Sequence, residues 1–160
     1  GGLVKDLHGQ KNVYYQVNST YYSALGEDDK KLLMARALQL FMPGKPQIWY
    51  LDLFAGKNDY EAVKRAGAAG HKEINRTNIT KEETWKVLEN NVVKKQLEML
   101  RFRSLFPGFS FDSDIKLESK GSAMTFTWEK DGYTAALKAD LADMTFEIRG
   151  MSEEGEIVII

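Results

Sequence analysis

The run Gln47-Ile48-Trp49-Tyr50-Leu51-Asp52-Leu53-Phe54 constrains the fold more than any other stretch of the chain. It is almost continuously apolar and lacks strict alternation. That is the pattern of a strand covered on both faces, as in a parallel sheet. Upstream, Glu27-Asp28-Asp29 follow Gly26 and open a helix, because negative charge is favoured at a helix N-terminus. Leu32, Leu33, Met34, Ala35, Ala37, Leu38, Leu40, Phe41 and Met42 make that helix apolar on nearly every side, so most of it is expected to be buried. Pro43-Gly44 ends it. A doubly covered strand between helices needs parallel neighbours. Only Val13-Tyr14-Tyr15-Gln16-Val17 offers a second strand before Phe106, and it is short. The remaining strands are therefore expected upstream of Gly1. The first Met is Met34, inside the helix, which also predicts a start within a longer chain.

Ala55 to Ile79 reads as a long connection with a short helix over Asn58 to Arg65; connections of this length are usually functional. Thr80 is an N-cap, and Glu83 completes a capping box. Trp85, Leu88 and Val92 begin an apolar stripe that Val93, Leu97 and Leu100 continue on a shifted face, with a break at Asn90-Asn91. After Pro107-Gly108 the period changes to two. Ile115 and Leu117 alternate with Lys116 and Glu118, and Met124, Phe126 and Trp128 alternate with Thr125, Thr127 and Glu129. Asp131-Gly132 signals a tight hairpin. Tyr133 to Lys138, Thr145 to Arg149 and Glu156 to Ile160 complete about five strands, a small sandwich or curled sheet that leans on the preceding helix.

The net charge of −1 gives no reason to expect nucleic acid or an anionic membrane as partner. No stretch approaches the ~20 apolar residues of a membrane span. There is no cysteine, which excludes disulfides and fits a reducing, cytoplasmic setting. His8 and His71 are far apart and lack metal-ligand spacing, so neither a metal nor a cofactor is expected. P-loop, dinucleotide and nucleophile-elbow patterns are missing. The sequons at Asn18, Asn75 and Asn78 read as chance matches, since no secretion signal accompanies them.

Two segments are more specific. One is Asn12-Val13-Tyr14-Tyr15-Gln16-Val17-Asn18-Ser19-Thr20-Tyr21-Tyr22-Ser23-Ala24-Leu25-Gly26. The other runs from Gly44 through Leu53-Phe54-Ala55-Gly56-Lys57-Asn58-Asp59 to Ile74-Asn75-Arg76-Thr77-Asn78. Here the chain resembles the sucrose phosphorylase group of the α-amylase-like glycoside hydrolases, strongly from Tyr15 to Asn78 and weakly in the terminal strands. The resemblance implies an α+β chain: the last helix–strand–helix part of a (β/α)8 barrel over residues 1–106, then a small antiparallel all-β domain over 107–160. Gln47 to Leu53 would be the eighth barrel strand. The family's catalytic carboxylates lie on earlier strands, so the resemblance implies no catalytic residue in this chain. The parent enzyme would be a retaining phosphorylase that moves glucose from an α-glucoside, such as sucrose or a phosphorylated relative, to inorganic phosphate.

The resemblance also implies site residues. Gln16 would hydrogen-bond a sugar hydroxyl, and Tyr15 would offer its ring face or hydroxyl; without the resemblance, this is a tyrosine-rich strand packing on a barrel. Arg76 would reach the sugar or phosphate, since a planar guanidinium grips both; otherwise it is a surface arginine. His71 and Lys72 are further candidates for anion contact. Asp52 reads as a structural hydrogen-bonding residue, Trp49 and Tyr50 as barrel core, and Trp128 as core of the β domain. One departure bears on the acceptor. Where close sucrose phosphorylases carry an Asn-Leu-Asp-like stretch before the Tyr-Gln pair, this chain has Lys11-Asn12-Val13, preceded by His8-Gly9-Gln10. Loss of that acid suits an anionic acceptor better than a neutral fructosyl unit. The alternatives are a hydrolase or transglucosidase on the same barrel, and a non-catalytic structural or carbohydrate-binding module displaying Trp128 and Tyr133. Alone, the chain would expose barrel-facing apolar surface and is expected to self-associate.

Overall fold

A computed structural model of the chain describes residues 2–6 and 14–160. The elements are β1 (Leu3–Asp6), β2 (Tyr14–Asn18), α1 (Tyr21–Ala24), α2 (Asp29–Phe41), α3 (Tyr50–Leu53), α4 (Tyr60–Ala66), a 3-10 stretch (Gly67–Asn75), α5 (Lys81–Leu88), α6 (Asn91–Leu105), and strands β3 (Asp114–Lys120), β4 (Ala123–Lys130), β5 (Tyr133–Asp140), β6 (Thr145–Ser152) and β7 (Gly155–Val158). They divide into two compact units, Gly1–Leu32 with Ile48–Val93, and Leu33–Gln47 with Lys94–Ile160.

In the first unit β1 and β2 pair antiparallel, Leu3 opposite Asn18 and Lys5 opposite Gln16. The register slips at the next pair, Asp6 opposite Tyr14, so Tyr15 is an extra residue in β2. Such bulges bend a strand and re-aim its neighbours. Both strands lie against the 3-10 stretch. Local capping explains the short helices. Thr20 accepts the Ser23 N–H at the start of α1, and Asp59 accepts the Ala62 N–H (2.8 Å) at the start of α4. Thr80 and Glu83 form both halves of the capping box at α5. α5 and α6 are separate pieces that meet at Asn90-Asn91.

The expected strand over Gln47 to Leu53 is a correction. The backbone is extended at Trp49 (φ −70°, ψ 140°), but Tyr50–Leu53 is a helical turn. An apolar run becomes a strand only by pairing with a ladder partner, and among the described residues this segment has none. Leu51 alone in α3 is buried, whereas Trp49 is 50% exposed, so Trp49 is not core here. The turn ends at Gly56, whose N–H donates to the Leu51 carbonyl (2.7 Å). A Cβ at Gly56 would lie 2.9 Å from Leu51 Cδ2 and 3.1 Å from the Leu51 carbonyl oxygen, so a side chain there would force Leu51 to shift. Trp85, expected to begin an apolar stripe, is 64% exposed, and no residue of α5 is buried.

The second unit is built on one antiparallel sheet in the order β3-β4-β5-β6-β7, a simple meander rather than a sandwich. Asp131 (φ 47°) and Gly132 (φ 81°) make the β4–β5 turn, and positive φ at both central residues matches the twist of the flanking strands. One face carries the rows Phe126–Leu137–Ile148 and Trp128–Ala135–Gly150, all buried. Helical residues Leu40, Phe41, Met99 and Phe102 of the same unit are buried with them. Gly150 permits this packing. A Cβ there would meet Phe102 Cε2 at 2.8 Å and Phe106 Cε2 at 2.9 Å. The expected lean of the strands on the preceding helix is thus seen in the contacts of α6 with β6.

Candidate functional site

The two segments singled out in the sequence meet in the first unit. β2 runs into Ser19 and Thr20, which lie against the loop after α3. Thr20 N–H donates to Asn58 Oδ1 (2.7 Å), and Asn58 Nδ2 donates to Ser19 Oγ (3.2 Å). Asn75 Nδ2 reaches the Ser19 carbonyl (3.3 Å) directly. Gln16 and Arg76 therefore sit on segments that are tied together, while His71 and Lys72 belong to the 3-10 stretch that ends just before Arg76.

Each candidate has a distinct setting. Gln16 Nε2 donates to Asn18 Oδ1 (2.7 Å), which fixes the carboxamide and leaves Gln16 partly exposed. Asn18 is buried. Tyr15 is the bulged residue of β2; its side chain lies outside the described structure, as do His8, Gly9, Gln10, Lys11, Asn12 and Val13, on which the acceptor departure rests. The Arg76 side chain is 53% exposed, and its Nη1 lies 3.7 Å from Glu73 Oε1, so solvent-facing donors remain for a ligand. Lys72 is partly exposed, and His71 Nε2 is buried without a hydrogen-bond partner among the described residues.

A supporting frame carries these side chains, and apart from Asp52 it is the part that sequence reasoning missed. Asp59 donates its N–H to the Ile74 carbonyl (2.8 Å), and its Oδ2 accepts from Thr77 Oγ1 (3.2 Å). The Ala62 N–H, and then the Thr77 hydroxyl, hold the Asp59 carboxyl below its usual range. Tyr50 OH donates to the Thr77 carbonyl (2.6 Å) and Trp49 Nε1 to the Asn75 carbonyl (3.0 Å), so both aromatics act as polar struts. Asp52 Oδ1 accepts the Tyr21 N–H (2.6 Å), the structural role expected of it. Only the helix-capping aspartate had a local signal.

The arrangement offers amide and guanidinium donors on a partly exposed surface, suited to hydroxyl or anionic oxygens. Among the described residues no three His, Cys, Asp or Glu side chains gather to hold a metal ion. No helix among them is long and apolar enough to cross a membrane. The binding-module alternative needs an exposed aromatic platform, but Trp128 is buried, 3% exposed.

No protein-family model matches the chain. It is 49% identical over 151 residues to a sucrose 6(F)-phosphate phosphorylase of Ilumatobacter coccineus, covering 92% of this chain and 29% of that protein. It is 40% identical over 138 residues to a sucrose phosphorylase of Streptococcus mutans, covering 84% of this chain and 28% of that protein. A crystal structure of sucrose 6F-phosphate phosphorylase from Thermoanaerobacter thermosaccharolyticum superposes with a TM-score of 0.89 at 36% identity, over 99% of this chain and 32% of that one. The chain thus spans less than a third of the length of the proteins it matches.

Proposed function

Over 92% of its length this chain belongs with the sucrose phosphorylases, and from that premise we propose that it is the C-terminal portion of a longer retaining α-glucoside phosphorylase. Residues 1–106 are the end of the catalytic barrel, and 107–160 are the β domain. A carboxylate of the parent, outside this chain, displaces the leaving sugar and forms a glucosyl-enzyme. An oxygen of inorganic phosphate then attacks the anomeric carbon, frees the carboxylate and yields α-glucose 1-phosphate. This chain contributes the rim and by itself is inactive. Gln16 and Tyr15 bind the leaving sugar, and Arg76 binds phosphate or sugar oxygens, with His71 and Lys72 adding positive charge nearby. The high identity to a phosphorylase that acts on a phosphorylated sucrose is the observation that carries this reading. With Val13 in place of an acid, it favours an anionic leaving sugar, as in sucrose 6'-phosphate, over the neutral fructosyl unit of sucrose.

The test uses the full-length parent enzyme and an assay for glucose 1-phosphate. An arginine bonded to an anionic oxygen contributes about 1.5–3 kcal/mol. Arg76→Ala is therefore expected to lower kcat/KM for phosphate about tenfold to a hundredfold. Release of free glucose alone from every α-glucoside tried with phosphate would overturn the reading.

Val17, Trp49 and Trp85 are exposed large apolar side chains of the first unit. They support self-association of the 160-residue chain when it is separated from its parent. Light scattering at high concentration is expected to report at least a dimer; a monodisperse monomer would contradict it.

A further inference from the structure

We infer that the dipeptide Asn58-Asp59 is a positioning element that sets the separation of the two substrate-binding segments, one residue holding each. The inference rests on the reading of Gln16 and Arg76 as ligand-binding residues.

The two side chains serve opposite partners. Asn58 faces the segment that follows Gln16. Its Oδ1 accepts the Thr20 N–H (2.7 Å), its Nδ2 donates to Ser19 Oγ (3.2 Å), and its own N–H donates to Ser23 Oγ (3.0 Å). Thr20 is fully buried, so its N–H cannot exchange this acceptor for water without cost. Asp59 holds both flanks of Arg76 through the Ile74 carbonyl and the Thr77 hydroxyl. Capping of α4 through the Ala62 N–H fixes Asp59 in turn. Asn75 also joins the two segments directly, its Nδ2 donating to the Ser19 carbonyl at the longer distance of 3.3 Å.

Positions are costly to lose, since an error of about 1 Å can lower a rate up to about a hundredfold. Phosphorolysis needs both segments correctly spaced. Hydrolysis of α-glucosyl fluoride does not, because its leaving group fills neither the leaving-sugar nor the phosphate position. In the full-length enzyme, Asn58→Ala and Asp59→Ser are expected to lower kcat/KM for phosphate about tenfold or more. Both should change hydrolysis of α-glucosyl fluoride less than about twofold. Serine preserves the helix cap but is too short for Thr77. Thr77→Val should reproduce Asp59→Ser, and Thr77→Ser should restore the parent value. Equal loss of both activities, or no loss of either, overturns the inference. A parent enzyme that makes no glucose 1-phosphate overturns the functional reading and this inference with it.

Discussion

Trp128→Ala is expected to destabilise the second unit by about 3–5 kcal/mol, the usual range for emptying a buried aromatic site. The indole is 3% exposed in the middle of an aromatic cluster, with its ring centroid 5.5 Å from that of Phe109. The Arg103 guanidinium lies 4.9 Å from Trp128 and 4.4 Å from Phe109, and donates to the Leu40 (2.8 Å) and Gly44 (3.1 Å) carbonyls. Burial lowers the Arg103 pKa, so the ring faces offset part of the cost of its charge. Truncation removes that offset as well as the volume. It also removes the Nε1–H donor to the Phe41 carbonyl (2.9 Å), at the end of α2 where no further helical N–H is available. Trp128→Phe keeps much of the volume and loses the donor, so its cost should be about 1–2 kcal/mol. Urea denaturation at fixed protein concentration, followed by near-ultraviolet circular dichroism, measures both. A loss under about 1 kcal/mol for alanine would place the indole outside the core.

The contrast between Trp128 and Trp49 shows how far sequence alone reaches. Trp128 was legible because Met124 and Phe126 share its alternation, and local alternation reports burial against the strand's own sheet. The same holds for Asp131-Gly132 and for the box at Thr80 and Glu83, whose determinants lie within three residues. Trp49 sat in an equally apolar run, but apolarity does not specify the partner. Its indole bonds the carbonyl of Asn75, 26 positions away, and the run curls into α3 because the described residues hold no strand to pair with it. Trp85 failed for a related reason, since a helical stripe states what can be buried and not whether a neighbour is present. At the site, the resemblance picked out Gln16 and Arg76, whereas Asn58 and Thr77 were silent. Their partners lie 38 and 18 positions away, and no local pattern encodes such bonds.

Arg36 is the sharpest case, and it carries the other large expected effect. In sequence it interrupts an otherwise apolar helix. In the structure it is 1% exposed, with Nε donating to Gln96 Oε1 (2.8 Å) and Nη1 donating to Gln39 Oε1. Gln96 is itself fully buried. Arg36→Ala opens a cavity and deprives a buried carboxamide of a charged donor. The two losses together are expected to cost about 3–5 kcal/mol. Size and polarity can be separated. Arg36→Met retains much of the volume and loses the donors, so about 1–3 kcal/mol should remain. Adding Gln96→Leu removes the stranded acceptor and should recover part of that cost, because an apolar pair of similar shape can replace a buried polar one. Urea midpoints of the four chains at one concentration decide the matter. If Arg36→Met is as damaging as Arg36→Ala, and Gln96→Leu recovers part of the loss, packing volume is not what Arg36 supplies. The guanidinium would then be required for its hydrogen bonds, as a polar clamp between α2 and α6 within the second unit.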